Sequence, residues 1–320
     1  MEHLITGAAG ALGRTLASRL TAEGHGVRAI AGPHDDATVV EAVRALGVRW
    51  VSGEARDEAS LDEALRGVDV VFHCAQVGPN ADRRTAEQVN LVETENVLSA
   101  ARRAGVRRFV LRSSERVTRG PAVRSHVDEE LPGPPVYVDA SAEALALAED
   151  LVLAAGDAGF GTAAIRPGML WGPFDDETLP DIVAKARAGR WKWIEGGRAF
   201  VPTAHLASVA DAMVRAASAE APWGRAYYVT DDERVTAREF ATRLAKAAGV
   251  SLAGAANVPY AWAAASAWLG ARGFGDAAWS SVAVSRWGRT AIFNVQRARK
   301  ELSWVPSVTV DEGMRTLAAG

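Results

Sequence analysis

Short β-branched, apolar runs alternate along the first half of the chain with longer stretches whose apolar positions recur every three to four residues. Positions 3–6, 27–31, 49–52, 69–74, 107–112 and 162–166 read as strands; 11–23, 37–46, 61–65, 83–104 and 141–155 read as helices. Strands alternating with helices call for right-handed crossovers, so the pattern predicts an α/β fold with a doubly wound parallel sheet, buried on both faces. Capping signals sharpen two helix starts: Ser60 is followed three residues later by Glu63, and Thr236 by Glu239.

The character changes after Arg166-Pro167-Gly168. Of the ten tryptophans only Trp50 precedes this point; the others run from Trp171 to Trp304, among scattered Gly and Pro. The division expected is a first domain over 1–168 and a smaller lobe over 169–320 that faces the substrate, with part of 199–230 returning to the sheet. Single tryptophans read most simply as core. Trp262, Trp268, Trp279 and Trp287 surround a glycine turn at 270–275 and suggest walls for an apolar or aromatic small molecule.

Composition narrows the partners. A formal charge of −3 over 320 residues, without a basic stripe, argues against nucleic acid. The single cysteine, Cys74, excludes an intrachain disulfide and a Cys-rich metal site, which suits a reducing cytoplasm. No signal-peptide pattern follows Met1, and the most apolar stretch, 253–269, is broken by Pro259, so no membrane span is expected. His73 and His205 stand too isolated for a metal site.

The sharpest motif lies between the first strand and the first helix, Thr6-Gly7-Ala8-Ala9-Gly10-Ala11-Leu12-Gly13. A dinucleotide diphosphate needs a tight turn, a backbone bare of side chains at closest approach, and free N–H groups at a helix start. Gly7 suits the turn, Gly10 the close approach, and Gly13 the packing of helix on strand. In this strand–turn–helix context the motif predicts a Rossmann-type domain holding NAD or NADP, with Ala11 and Leu12 offering amides.

The turn resembles that of the extended short-chain dehydrogenase/reductases, the group of NAD-dependent epimerases and dehydratases and of 3β-hydroxysteroid dehydrogenase-like enzymes. Further segments resemble the family in order: Gly53-Glu54-Ala55-Arg56-Asp57, Phe72-His73-Cys74-Ala75-Gln76, Asn90 with Thr94-Glu95-Asn96-Val97, Arg166-Pro167-Gly168, Trp171-Gly172-Pro173, and 297–306 near the end. The resemblance implies that Glu54 and Ala55 lie at the adenine, that Cys74, Ala75, Gln76 and Asn90 line the cofactor, and that Pro167 stands beside the nicotinamide. It also implies a homodimer formed through the helices at 83–104 and 141–155. At the end of the second strand, Ile30-Ala31-Gly32-Pro33-His34 offers neither a carboxylate for a ribose 2′-hydroxyl nor an arginine for a 2′-phosphate. NAD is favoured over NADP by resemblance alone.

Family members transfer hydride with a Ser or Thr, a Tyr, and a Lys four residues after the Tyr. A phenol needs a neighbouring cation to ionise near working pH. Ser114, in Ser113-Ser114-Glu115-Arg116-Val117, matches the serine. Counting back from Arg166 puts the tyrosine position at Ser141 and the lysine position at Leu145, so the pair is missing. Tyr137, one helical turn earlier, is the nearest phenol; His126, Asp128 and Asp139 are other neighbours. The reading that follows is an NAD(P)-dependent oxidoreductase for an apolar or polycyclic alcohol or ketone, with Ser114, Tyr137 and Ser141 as site candidates. The alternatives are a non-redox cyclase, isomerase or lyase on the same fold, and a non-catalytic dinucleotide-binding module. Restoring the pair by Ser141→Tyr with Leu145→Lys is expected to raise reductase activity if the register is right.

Overall fold

The computed structural model describes residues 1–31, 36–120, 124–220, 223–270, 272 and 279–319. The chain opens with β1 (Glu2–Thr6), α1 (Ala11–Ala22), β2 (Gly26–Ala31), α2 (Ala37–Arg44), β3 (Arg49–Ser52), α3 (Glu58–Leu65) and β4 (Val70–His73). It continues through α4 (Arg83–Ala86), a π-helical stretch Glu87–Val92, α5 (Glu93–Arg103), β5 (Arg108–Arg112), a short strand β6 (Arg124–Val127), α6 (Ala140–Ala154) and β7 (Gly161–Pro167). Then come β8 (Met169–Trp171), α7 (Thr178–Arg187), β9 (Lys192–Ile194), β10 (Thr203–His205), α8 (Leu206–Ser218) and β11 (Arg225–Val229), followed by α9 (Ala237–Ala247). Later elements include β12 (Ala256–Val258), α10 (Tyr260–Gly270), α11 (Ser281–Gly288) and β13 (Ala291–Phe293).

Seven strands form one parallel sheet in the order β11-β7-β5-β4-β1-β2-β3. After leaving the sheet at Pro167 the chain therefore comes back to it, with Arg225–Val229 along β7. One apolar layer lies under α1 and α8, where Leu12, Leu16 and Leu20 recur every four residues and are buried. The opposite layer is formed by α3, α5 and α6. A separate core, built around Trp171, Trp191, Trp193 and Phe240, belongs to the lobe beyond β7.

Three local expectations meet the structure here, and two of them change. The start of α3 is capped by Asp57, whose carboxylate accepts from Ser60 N–H at 3.0 Å, so Ser60 lies inside the helix instead of capping it. Thr236 and Glu239 do form the reciprocal capping box of α9. The long helix expected over 83–104 is interrupted by a wider turn at Glu87–Val92. That turn carries Asn90 inward, where its amide bonds the backbone of Val77 and the hydroxyl of Ser141.

Between α6 and β7 the Arg166 guanidinium is buried against Glu149, with Nε 3.0 and 3.1 Å from its two oxygens. It also lies over the ring of Tyr228. Leaving a buried cation without its carboxylate is strongly unfavourable. Glu149→Leu is expected to lower unfolding free energy by about 3–5 kcal/mol, read from urea melts. A loss under about 1 kcal/mol would mean that water already solvates the pair.

Candidate functional site

The glycine turn shapes the site first. Gly7 adopts φ +65°, and a Cβ there would sit 2.6 Å from the Ala75 nitrogen, so β1 can approach the end of β4 only with glycine. Gly10 caps α1 with extended backbone and no side-chain bond, so the first-turn N–H groups lack protein partners. Those amides open on a cleft of about 410 Å³ at the carboxyl edge of the sheet, where open α/β sheets take ligands.

Gly7, Gly10, Ala11 and Leu12 form one wall of this cleft; Cys74, Ala75, Gln76, Gly78 and Pro79 form a second. Arg112 to Arg116 and Pro167 to Leu170 complete the sheet side, and Asp175 to Thr178 with Arg286 come from the lobe. Arg14, on the first turn of α1, reaches across to Phe174: its guanidinium donates to the Phe174 carbonyl at 3.0 Å and lies over the ring. This contact fastens the lobe to the helix that opens the cleft.

Gly13, Glu54, Ala55 and Asn90, also expected at the cofactor, do not line this cleft. Gly13 does not line the cleft; it lets α1 sit against the turn, since a Cβ there would lie 2.2 Å from the Gly7 carbonyl oxygen. Glu54 pairs with Arg56 at 2.9 Å, and the Ala55 carbonyl accepts from Asn96, so neither reaches this cleft. Asn90 is fully buried and ties the loop carrying Ala75 to Pro79 onto α6; it acts through that loop. Cys74 lines the cleft as a small core residue, its thiol pushed up to about 12 by burial. Arg28 is held by Glu2 and by the carbonyls of Ala64 and Arg66, away from the cleft. Gly32, Pro33 and His34, where a 2′-group would be sensed, lie outside the described residues.

Ser114 is the one expected catalytic residue that the structure brings into the cleft. Its Oγ accepts from the Arg116 N–H at 3.2 Å, leaving its own proton free to be donated. Ser141 is fully buried and spent: it donates to the Val77 carbonyl at 2.8 Å and accepts from Asn90 at 3.0 Å. Leu145 packs with Val117 and Ala146. Tyr137 leans on that same cluster, outside the cleft, and burial together with Asp150, Glu143 and Glu149 pushes its phenol up, away from activation. Asp139 caps α6 and holds the Arg116 guanidinium through both oxygens, at 2.9 and 2.8 Å. Asp128 caps its own turn, and His126 bonds Ser125 and Arg234.

Motif spacing does not point to Arg116, yet it sits beside Ser141 at 3.4 Å and lines the cleft. The space beside Ser141 is thus filled from the serine segment. The packing sets a second expectation for Ser141→Tyr with Leu145→Lys. Because the double variant would crowd Arg116 and bury an ammonium among Val117 and Ala146, it is expected to lose about 2 kcal/mol or more and gain no activity. Thermal melts beside ketone assays check this, and a gain of reductase activity in a stable variant would restore the simpler picture. The tryptophan grouping is also revised. Trp279 and Trp287 meet Trp191 edge to face at 4.8 and 5.4 Å as core, and Trp287 also lines a cavity beside the cleft. Trp262 and Trp268 are exposed under Lys192 and Arg272, and most of the turn between the two pairs lies outside the described residues.

A family model described as the 3-beta hydroxysteroid dehydrogenase/isomerase family matches residues 4–260. The chain belongs to this family. One curated relative, the 4-hydroxy-2-methyl-3-oxo-4-farnesyl-3,4-dihydroquinoline-1-oxide ketoreductase of Stigmatella aurantiaca, is 34% identical over 99% of this chain and 96% of its own length. Another, the 2-alkyl-3-oxoalkanoate reductase of Stenotrophomonas maltophilia (strain K279a), is 30% identical over 100% of this chain and 99% of its own. Among solved structures, the DesIV double mutant (a dTDP-glucose 4,6-dehydratase) of Streptomyces venezuelae superposes with a TM-score of 0.79 at 20% identity. That match covers 100% of this chain and 96% of the other, and it shows the shared fold. The described residues contain no helix long and apolar enough to cross a membrane, and no group of three His, Cys, Asp or Glu suited to a metal.

Proposed function

We propose that the chain is an NAD(P)-dependent reductase of a ketone carried on an apolar, alkylated skeleton. The observation that carries this reading is the meeting, in one cleft, of the unpartnered amides of α1, the free proton of Ser114 and the β7 exit at Pro167. The cleft suits a dinucleotide: Gly10 leaves the backbone bare where a diphosphate would lie, and Gln76 Oε1 and Ser113 Oγ are buried there without hydrogen-bond partners. Bound reduced nicotinamide would supply a hydride. The protein's part is to hold the ketone oxygen on the Ser114 hydroxyl as negative charge grows on it. The Arg116 guanidinium, anchored on Asp139, adds positive potential at the same end, and the alkoxide takes its proton from solvent through the open cleft.

Both curated relatives are named as reductases of a 3-oxo compound bearing an alkyl or farnesyl group. A second cavity of about 760 Å³ adjoins the first, sharing Pro79, Asp176, Glu177, Thr178 and Arg286; Ala184, Val282, Ala283 and Trp287 line one part of it and Asp181, Lys185 and Arg190 another. This supports the reading by offering room for an alkyl tail next to the cleft. Leu147 and Leu151, exposed one turn apart on α6, together with Val92, favour a homodimer through α5 and α6, to be read from the particle mass in solution.

The test follows oxidation of NADH and NADPH by absorbance with 2-alkyl-3-oxo compounds. Ser114→Ala is expected to lower kcat about 10²-fold while leaving dinucleotide affinity unchanged. Failure of the wild type to bind either dinucleotide would sink the reading. Product formed without net oxidation of the coenzyme would replace reduction by an isomerase or lyase reaction.

A further inference from the structure

The arginines around the cleft are matched with one exception. Arg116 is held by Asp139, Arg119 by Glu115 and the Ser285 carbonyl, Arg166 by Glu149, and Arg286 by Glu177. Arg112 lines the cleft with no hydrogen bond and no ion pair among the described residues, and its Nε is buried with no partner.

Its position is fixed by the sheet. Arg112 ends β5 and pairs with Ile165 of β7, while the preceding Leu111 pairs with His73, which places Arg112 level with Cys74. Val110, Ile165 and Cys74 all belong to the apolar layer beneath α1 and α8, so period-2 alternation sets the Arg112 stem on that same face. Only β4 separates β5 from β1, so Arg112 stands two strand spacings, about 10 Å, from the turn where α1 begins. Asp176 and Glu177 favour its charge from the lobe side but make no ion pair with it, Glu177 being engaged by Arg286 at 2.8 Å. Burial is the larger influence and, with the neighbouring Arg116, holds its pKa below the ordinary guanidinium value. A guanidinium held by no carboxylate, next to the buried Phe109-Val110-Leu111 run, destabilises the fold.

We propose that Arg112 is an oxyanion-binding residue, taking a phosphate or carboxylate oxygen of a molecule seated in the cleft. The planar fork of a guanidinium suits two-point contact with either group. The inference rests on the reading of the cleft as a dinucleotide and ketone site, which offers two sources. One is the diphosphate bridge lying on α1; the other is the carboxylate of a 3-oxo acid whose ketone rests on Ser114.

Arg112→Met and Arg112→Lys separate the possibilities. The methionine variant is expected to melt at or above the wild-type temperature, because it removes a buried charge that no hydrogen bond or ion pair of the fold holds. A lower melting temperature would make Arg112 structural and overturn the inference. In calorimetry, a diphosphate source predicts that NADH and inorganic diphosphate both bind roughly 10- to 100-fold more weakly to the methionine variant, with lysine recovering part. A carboxylate source predicts unchanged NADH affinity. The KM of a 3-oxo acid would then rise by the same factor, and that of the matching ketone lacking the carboxylate would not move. Changes within about twofold in both arms overturn the inference and leave the proposed reduction standing. If the wild type binds no pyridine dinucleotide, that reading falls alone. Inorganic diphosphate and the 3-oxo acid, titrated as plain ligands into wild type and Arg112→Met, then decide the role of Arg112, and equal affinities reject it.

Discussion

Between pH 6.5 and pH 4 the fold is expected to lose stability steeply, because three buried histidines are neutral in the native state. His3, His73 and His205 are each lowered to about 4, burial being the first cause in all three. Unfolding frees them to titrate near 6.5, so over this window the unfolded chain binds more protons. Stability present above the unfolded value is therefore lost as pH falls. Each histidine contributes about 1.4 kcal/mol per pH unit once its unfolded form is charged, and the three together up to about 4. Glu93, Glu129, Asp175 and Asp231, raised chiefly by burial, carry the opposite sign and soften the slope toward its acid end. His73 shows why protonation is resisted. Its Nδ1 lies 2.7 Å from the Thr6 hydroxyl and its Nε2 2.9 Å from that of Thr94. Thr94 already donates to the Asn90 carbonyl at 2.8 Å, so Nε2 carries the proton and Nδ1 accepts from Thr6. A second ring proton would face that donor. Urea melts at pH 7.5, 6 and 5 measure the slope, and His73→Gln should remove about a third of it. A flat profile over this range would show that the three sites are hydrated.

How far the chain announces its fold can be followed through particular residues. The sheet was legible because Leu4-Ile5, Val70-Val71-Phe72 and Phe109-Val110-Leu111 are continuous apolar runs, as strands buried on both faces must be. The turn at Gly7 was legible because a strand precedes it and a helix follows. The residues at 141 and 145, a serine and a leucine, were plain from the sequence as well. What packs beside Ser141 was not. Arg116 comes from a different element, and periodicity along one helix carries no record of which long side chain from elsewhere packs against it. Tryptophans fail as markers for a related reason: Trp279 and Trp268 lie in the same stretch, yet one is core and the other exposed. Arg112 offered a signal that spacing overlooked, a charge directly after the apolar run Phe109-Val110-Leu111 and just before the serine segment. Arg286 offered none, because it reaches the cleft from α11, more than a hundred residues beyond Glu177, its partner.

Gly13→Val is expected to raise the Kd for NADH more than about 100-fold while costing only about 1–3 kcal/mol of stability. In an exposed helix, replacing glycine stabilises by up to about 1 kcal/mol, so the sign depends on what the new side chain meets. Here it meets backbone. A Cβ at Gly13 would lie 2.2 Å from the Gly7 oxygen and 2.6 Å from the Ala8 Cα, and neither can turn aside as a side-chain tip could. The first turn of α1 must move off β1, and the amides of Ala11 and Leu12 move with it. Gly24→Ala separates this effect from simple loss of a glycine. Gly24 has φ +80°, and a Cβ added there would meet no atom within 4 Å, so the variant bears backbone strain without a clash. It should melt lower yet bind NADH normally. Wild-type affinity in a folded Gly13→Val variant would mean that the helix start is not where the coenzyme is gripped, since a displaced ring of amides cannot hold a diphosphate it no longer faces.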